Sequence, residues 1–212
     1  MPISTFPPEI LGYIFEYLAF KPHFLLLCAV VNHSWCSIAI PMLWRNPFYL
    51  GMEGEQYKVR YKLLIDTYFK CFNEEARRRI LEKKEIHADT LLSIDTFFNA
   101  ENQSTFRYAS FLKTLNIADV SEAIESWIQW LTSEDTNDCL QELLTYEFFR
   151  LLWSELPAIQ DFVYQCYPPP ISHDVWMLPG AAWSLSKVSY CSLSLWASQP
   201  IFLPFWNPIV AI

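Results

Sequence analysis

The first 45 residues concentrate large apolar side chains in three short segments, and this arrangement limits the folds available to the chain. The first segment follows Pro8 and keeps helical spacing to Leu18, the second follows Pro22, and Asn32-His33-Ser34 supplies a turn and an N-cap before the third. The pattern predicts three short helices packed as a small bundle. Because few polar faces remain, we expect one apolar face of this bundle to bind another protein.

The apolar residues of these segments also follow a specific order along the chain. They are Phe6-Pro7-Pro8-Glu9-Ile10-Leu11, Ile14-Phe15, Tyr17-Leu18, Leu25 to Cys28, Val31, Trp35 and Pro41-Met42-Leu43-Trp44-Arg45. This order resembles the F-box, whose pattern is roughly L-P-x-E-I-L-x-x-I-F-x-Y-L, then L-x-x-C-x-x-V-x-x-x-W, then L-W. The resemblance covers about residues 5–46 and departs from the pattern at Phe6, where the family usually has leucine.

The resemblance implies a role in protein ubiquitination. F-box domains dock on the Skp-type linker of a cullin-RING ubiquitin ligase, and the rest of such a chain presents a protein substrate. It therefore implies a substrate-recognition adaptor whose partners are the Skp-type linker, cullin through that linker, and a protein substrate. Carried over by position, the linker-binding residues are Phe6, Pro7, Ile10, Leu11, Ile14, Phe15, Leu18, Val31 and Trp35. The alternative is that these side chains only pack the core of the bundle.

Composition narrows the remaining function classes. The formal net charge of −8 argues against nucleic acid as the main partner, because phosphate binding needs clustered lysine and arginine. Only four glycines are present, and no G-x-G-x-x-G, phosphate-binding loop or G-x-S-x-G can be written from them. With no patterned nucleophile, acid or base either, we expect no catalytic residue, no enzyme activity and no cofactor.

Cysteine and histidine usage indicates a reducing compartment without a metal site. The six cysteines include no C-x-x-C pair, and the four histidines include no H-x-x-x-H pair. Glu9 and Glu16 interrupt the N-terminal apolar run, which therefore does not read as a secretory signal. We expect a cytoplasmic or nuclear protein that binds no metal.

The middle of the chain, residues 49–105, is predicted as a helical linker region between the F-box domain at 1–48 and the remainder. Asn73 is the predicted N-cap of a helix that runs from Glu74 to Lys84. Arg77, Arg78 and Arg79 lie on this helix among four glutamates, a pattern typical of a solvated helix face.

Residues 106–212 contain a weak repeat. Three segments fit the L-x-x-L-x-L strand of leucine-rich repeats: Leu112-x-x-Leu115-x-Ile117, Ile159-x-x-Phe162-x-Tyr164 and Leu185-x-x-Val188-x-Tyr190. Helices are predicted between the first two, over 119–131 and 137–156. Tyr167 and Leu193 stand where the repeat normally has asparagine or cysteine. The alternative is three chance apolar strands in a mixed α/β domain.

The last 25 residues, from Val188 to Ile212, contain no charged side chain. Pro200, Pro204 and Pro208 disfavour a membrane-spanning helix there, so we expect an apolar, uncapped continuation of the preceding strands, with a membrane anchor as the alternative. The expected fold is thus a mainly α three-helix F-box followed by an α/β leucine-rich-repeat-like region, short or incomplete. Its function as a substrate adaptor has one further alternative, an F-box scaffold that delivers no substrate.

Overall fold

A computed structural model describes residues 6–48, 56–100, 104–132, 138–165 and 173–194 of the chain. Within them, helices predominate and three short strands form one parallel sheet. The helices are α1 (Pro8–Leu18), α2 (Pro22–Ala29), α3 (His33–Leu43), α4 (Gln56–Phe69), α5 (Glu74–Leu81), α6 (Ala88–Asn99), α7 (Ile117–Thr132), α8 (Asp138–Glu155) and α9 (Ala181–Leu185). The strands are β1 (Thr114–Asn116), β2 (Asp161–Gln165) and β3 (Tyr190–Ser194). Two 3-10 turns cover Tyr108–Phe111 and His173–Met177.

Helices α1 to α3 form the predicted N-terminal bundle. Pro8 occupies the first position of α1, where its missing N–H costs nothing, and Asn32 caps α3 by accepting from the Trp35 N–H at 2.9 Å. The small core of the bundle contains Phe15 and Leu25, and the ring of Phe15 meets that of Trp35 edge to face at 5.2 Å. The predicted mainly α N-terminal bundle is confirmed.

The remaining helices surround a second and much larger core. Helix α4 packs against α7, and the rings of Tyr68 and Phe148 meet at its centre with centroids 5.1 Å apart. Phe48, just after the bundle, also belongs to this core and stacks on Tyr68 at 5.9 Å. Helices α4 to α6 thus contribute to the same core as residues beyond 105. The assignment of 49–105 as a linker region stays a prediction.

The three strands lie side by side in sequence order and run parallel. Leu115 pairs in register with Phe162, and both side chains are buried on the face that α7 covers. Helices α7 and α8, predicted at 119–131 and 137–156, form the connection from β1 to β2. The first two predicted strand motifs therefore lie on β1 and β2. A leucine-rich repeat is not shown by this sheet alone.

The third strand motif was placed three residues too early. Register pairs Phe162 with Cys191 and Tyr164 with Leu193, so the motif runs Val188-x-x-Cys191-x-Leu193. Leu185 instead ends helix α9, and Tyr190, expected to face the core, is 59 % exposed. The error arises because apolar residues fill both frames in this stretch. Only pairing with β2 sets the register of this strand.

A repeated backbone contact joins the bundle to the sheet. In each case one backbone carbonyl accepts hydrogen bonds from two successive backbone N–H groups, with N···O distances of 2.7 to 3.1 Å. We call each accepting residue and the segment around it a level. The contact occurs three times: Arg45 with Lys113 and Thr114, Lys113 with Gln160 and Asp161, and Gln160 with Ser189 and Tyr190. Arg45, which follows the bundle, therefore takes the place that Lys113 and Gln160 take at the later levels.

Two of the three consecutive arginines contradict the predicted solvated face. Arg79 forms two hydrogen bonds, at 2.7 and 2.8 Å, with Glu147, whose side chain is only 1 % exposed. Arg77 donates to the Phe72 carbonyl at 3.1 Å and lies over the Phe98 ring. Only Arg78 is exposed. The prediction was wrong for Arg77 and Arg79 because α8 and α6 pack against the helix that carries them.

Among the residues described, no helix is both long and apolar enough to cross a membrane. The predicted continuation of the strands beyond residue 194, including the three prolines, lies outside the described residues.

Candidate partner-binding surface

The N-terminal bundle exposes an unusual number of large apolar side chains. Eleven of the eighteen exposed large hydrophobic residues of the described chain fall within residues 6–31. We call these eleven the docking surface; they are Phe6, Ile10, Tyr13, Ile14, Tyr17, Phe20, Phe24, Leu26, Leu27, Val30 and Val31. Soluble proteins rarely leave so much apolar surface in water unless it binds a partner.

Helix α1 contributes one face to the docking surface. Ile10, Tyr13, Ile14 and Tyr17 are three, four and seven positions apart, so they project on one side of the helix. Tyr17 is 86 % exposed, and Phe20 in the following turn is 93 % exposed. The opposite side of α1 packs on α3 through buried Phe15. The amphipathic spacing of α1 thus divides its apolar residues between the core and solvent.

Helix α2 is apolar on nearly all sides and can bury only one of them. Leu25 faces the core at 1 % exposure, whereas its neighbours Leu26 and Leu27 are 58 % and 59 % exposed. Lys21 at the start of the helix places its ammonium 5.8 Å from the Phe24 ring. The surface of α2 is therefore apolar with a cationic margin.

An ion pair fixes α1 against the end of α3. The Arg45 guanidinium donates to both carboxylate oxygens of Glu16, at 2.8 and 3.0 Å. Both side chains are nearly half exposed, so solvent screens the pair and its contribution to stability is small. Its two parallel bonds nevertheless restrict the orientation of α1 next to the docking surface.

The structure separates the nine residues predicted to bind the linker into three groups. Phe6, Pro7, Ile10, Ile14 and Val31 are exposed, Leu18 and Trp35 are half-buried, and Leu11 and Phe15 are buried at 3 % and 1 %. Leu11 and Phe15 are thus not accessible to a partner in this conformation. Their predicted contact with the linker is untested, and in the free chain they support the bundle.

Trp35 resembles the buried pair more than the exposed group. Its ring packs on Phe15, and its indole N–H is enclosed without a hydrogen-bond acceptor among the described residues. A buried donor without an acceptor is costly, so this N–H lowers the stability of the small core.

Sequence reasoning missed seven residues of the docking surface. They are Tyr13, Tyr17, Phe20, Phe24, Leu26, Leu27 and Val30. Helical spacing was a usable signal for Tyr13 and Tyr17, which lie on the same face as Ile10 and Ile14. For α2 the sequence offered no such signal, because apolar residues surround the helix and only the packed structure shows which of them is buried.

The side chains of the docking surface can form an apolar contact with a partner but include no reactive group. The surface consists of aliphatic and aromatic side chains on two adjacent helices and the residues that flank them, the composition of a helix-in-groove contact. Burial raises the pKa of the Cys28 thiol next to it, which keeps that thiol protonated. Within the described residues, His, Cys, Asp and Glu side chains form no group of three that could hold a metal ion.

Comparison with known proteins identifies the bundle. Residues 3–49 match the family model of the F-box-like domain, so the chain carries an F-box-like domain at its N-terminal end. No curated protein and no solved structure matches the chain. F-box domains in general bind Skp-type proteins, and the docking surface lies inside the matched residues.

Proposed function

We propose that this chain is the substrate-recognition adaptor of a Skp/cullin/F-box ubiquitin ligase. The docking surface binds the Skp-type linker, which connects the chain to cullin. The larger body, by which we mean Phe48 and the elements from α4 to β3 that share the second core, presents a protein substrate. The observation that carries the proposal is the coincidence of the F-box-like match with the most exposed apolar part of the molecule.

The energetic argument supports a bundle that is completed by a partner. Among the described residues, its core cluster contains only Phe15, Leu25 and Ala39 as fully buried residues, while eleven large apolar side chains face solvent. A partner that covers that surface removes apolar area from water, and each Å² removed contributes about 25 cal/mol of favourable free energy. A partner that binds only the folded bundle also stabilises it by mass action.

The larger body supplies the substrate-presenting part in this proposal. Its parallel strands, continuous with Arg45 through backbone hydrogen bonds, give a surface held in fixed relation to the bundle. An irregular leucine-rich-repeat-like region is our interpretation of this part, because strand motifs and helices alternate there. Ubiquitin transfer itself belongs to the other ligase subunits, so the chain acts by proximity and not as an enzyme, in the cytoplasm or nucleus.

The direct test is a pull-down with the Skp-type linker. Ile14→Asp places an unpaired carboxylate in the apolar contact, and we expect the affinity for the linker to fall about 30- to 1,000-fold. Ile14 is 43 % exposed, so the substitution leaves the bundle core in place. Leu11→Asp is unsuitable, since burial of Leu11 makes it a test of folding.

Leu92→Asp is the matched control, because Leu92 is 66 % exposed on α6 and lies outside the docking surface. Retention of the linker by both variants at wild-type levels would contradict the docking proposal. An adaptor is separated from a scaffold by linker-dependent ubiquitination of a co-purified partner. A partner that is captured but never modified would favour the scaffold.

A further inference from the structure

The parallel sheet carries a row of three polar side chains on the face that points away from the core. Thr114 pairs in register with Asp161, and Asp161 pairs with Tyr190. Successive side chains of a strand point to opposite faces, and the next residues, Leu115 and Phe162, are buried in the core. The row therefore projects from the opposite face, with its neighbouring strands about 4.8 Å apart.

Asp161, at the centre of the row, presents an oriented carboxylate. The Thr114 hydroxyl donates to its Oδ2 at 3.1 Å, which restricts rotation of the carboxylate. Its Oδ1 accepts no hydrogen bond from any described residue and is not among the buried polar atoms, so solvent reaches it. One oxygen is thus held by the protein, and the other is open to a donor from outside.

The negative charge of Asp161 is not neutralised by any cation that the structure describes. Asp161 forms no ion pair with a described residue, and neither does Lys113, which precedes Thr114 at the same end of the sheet. Lys187, just before β3, holds its ammonium 4.7 Å from the centre of the Trp183 ring. The row therefore lacks a positive charge of its own, in a chain with a formal net charge of −8.

Tyr190 adds an aromatic surface beside this carboxylate. The residue is 59 % exposed, and register places it next to Asp161 on the same face of the sheet. The face of an aromatic ring attracts cations, and so does a carboxylate. A cationic group that lies between the two strands can therefore donate to Asp161 Oδ1 and cover the Tyr190 ring at the same time.

We propose that this row binds an arginine side chain of the protein substrate. The planar guanidinium stacks its face on Tyr190 and donates from its edge to Asp161 Oδ1. An ammonium has no flat face, so it gains less from the ring, and an anionic group is repelled by Asp161. The inference rests on the proposed function in identifying the polypeptide as the substrate; the chemistry of the row stands without it.

A tethered fragment tests the row without a known substrate. Ser192 lies two positions after Tyr190 and so on the same face of β3, and Ser192→Cys supplies a thiol there. The full chain is equilibrated with three disulfides of equal length whose free ends carry a guanidinium, an ammonium or a urea group. The urea has the planar shape of the guanidinium without its charge. Tethering raises the effective concentration of a group that binds weakly by itself.

Peptide mass mapping measures the fraction of the introduced thiol that is linked to each fragment. The reference is Leu92→Cys, because Leu92 is 66 % exposed on α6 and has Asp89 and Asp95 three positions away on either side. This second thiol shows how strongly an acidic helix surface attracts cations in general. The comparison of the two thiols isolates what the row adds.

We expect the guanidinium to be enriched over the urea about five- to tenfold at Ser192→Cys relative to Leu92→Cys, and over the ammonium about twofold. Asp161→Asn keeps the shape of the side chain and should abolish the preference for both cations. Tyr190→Leu keeps the charge and should remove only the preference for guanidinium over ammonium. Glu142→Gln, which removes an exposed carboxylate on α8, is the matched control and should change nothing.

Equal linking of the three fragments, the same preference at both thiols, or no linking at Ser192→Cys would each overturn the proposal. An unchanged preference after Asp161→Asn or Tyr190→Leu, or a preference for the ammonium, would overturn it as well. Thermal unfolding shows that each variant remains folded, and the comparison of guanidinium with urea needs no change in the row itself.

Binding to the Skp-type linker is measured in parallel, because the row lies outside the docking surface. Loss of the guanidinium preference with intact linker binding overturns this inference and leaves the adaptor proposal standing. A retained preference without linker binding overturns the adaptor proposal and leaves the binding chemistry of the row.

Discussion

The bundle and the larger body differ in what happens to their large apolar side chains, which the body buries and the bundle leaves exposed. Among the residues that the structure describes, the body places 33 buried hydrophobic residues in one cluster, whereas the bundle's cluster holds three and the bundle leaves eleven large apolar residues exposed. A large core makes a unit stable by itself, and a small core with an exposed apolar face makes stability depend on a partner. We therefore expect aromatic substitutions to change folding in the body and binding in the bundle.

The largest effect is expected from one aromatic substitution made in both regions. Phe148→Ala removes a fully buried ring that contacts Tyr68 and Phe48, and should lower the free energy of unfolding by about 3–5 kcal/mol. Phe20→Ala removes a ring that is 93 % exposed and should change it by less than about 0.5 kcal/mol. Urea denaturation measures both. Similar losses in the two variants would mean that the regions do not differ as described.

The second expected effect concerns the buried ion pair of the body. Glu147→Gln removes the charge that neutralises Arg79 and should cost about 3 kcal/mol, because the arginine loses its buried partner. Glu75→Gln is the matched control at the same arginine, and its carboxylate is 60 % exposed, so we expect less than about 1 kcal/mol. Equal losses would show that Arg79 is effectively solvated. The readout is again the urea midpoint.

Asp119, at the start of α7, should give a smaller, pH-dependent effect. Burial raises its pKa from 3.8 to about 6, opposed by a hydrogen bond from Asn116. Between these values the folded chain binds more protons than the unfolded chain, so this group's contribution to stability falls as pH rises from about 4 to 6. Asp119→Asn should remove that slope, worth about 1 kcal/mol after allowance for partial exposure.

The measurement is the thermal midpoint of both proteins from pH 4 to pH 7. The two curves should approach each other near pH 4 and separate towards pH 7, with the asparagine variant higher. A wild-type curve parallel to that of the variant would mean that Asp119 titrates alike in the folded and unfolded chains.

The smallest effect is expected in the bundle's own ion pair. Arg45→Ala and Glu16→Ala should each cost no more than about 1 kcal/mol, because both side chains are nearly half exposed. A double-mutant cycle isolates the pair itself. The contact from Arg45 to Lys113 uses the backbone carbonyl, so Arg45→Ala keeps it. A coupling free energy above about 2 kcal/mol would contradict this expectation, because it would make the exposed pair as strong as the buried pair of Arg79 and Glu147.

The sequence predicted the parts of the fold that depend on local order. Proline and a cap within Asn32-His33-Ser34 predicted the bounds of the first three helices, helical spacing located α7, and Pro157 marked the end of α8. Motif spacing also located the first two strands. Each of these signals is contained within one turn or one strand, so a single sequence is sufficient to read it.

Features that depend on distant partners could not be predicted in the same way. Arg79 is buried because Glu147, 68 positions away, meets it from α8. The third strand motif lies three residues later than predicted, and only its pairing with β2 shows this. Which sides of α2 are exposed likewise follows only from how the helix packs. Of the nine residues predicted to bind the linker, Ile10 and Ile14 are exposed, whereas Leu11 and Phe15 are buried.

The backbone contacts that begin at Arg45 keep the distance between successive levels the same, however many residues of the chain lie between them. Successive accepting residues, Arg45, Lys113 and Gln160, and the next residue in the series, Ser189, are separated by 68, 47 and 29 positions. Neighbouring strands nevertheless lie about 4.8 Å apart, which puts Ser189 about 14 Å from Arg45. Residues inserted between levels would enlarge the helical outer layer without moving the strands away from the bundle.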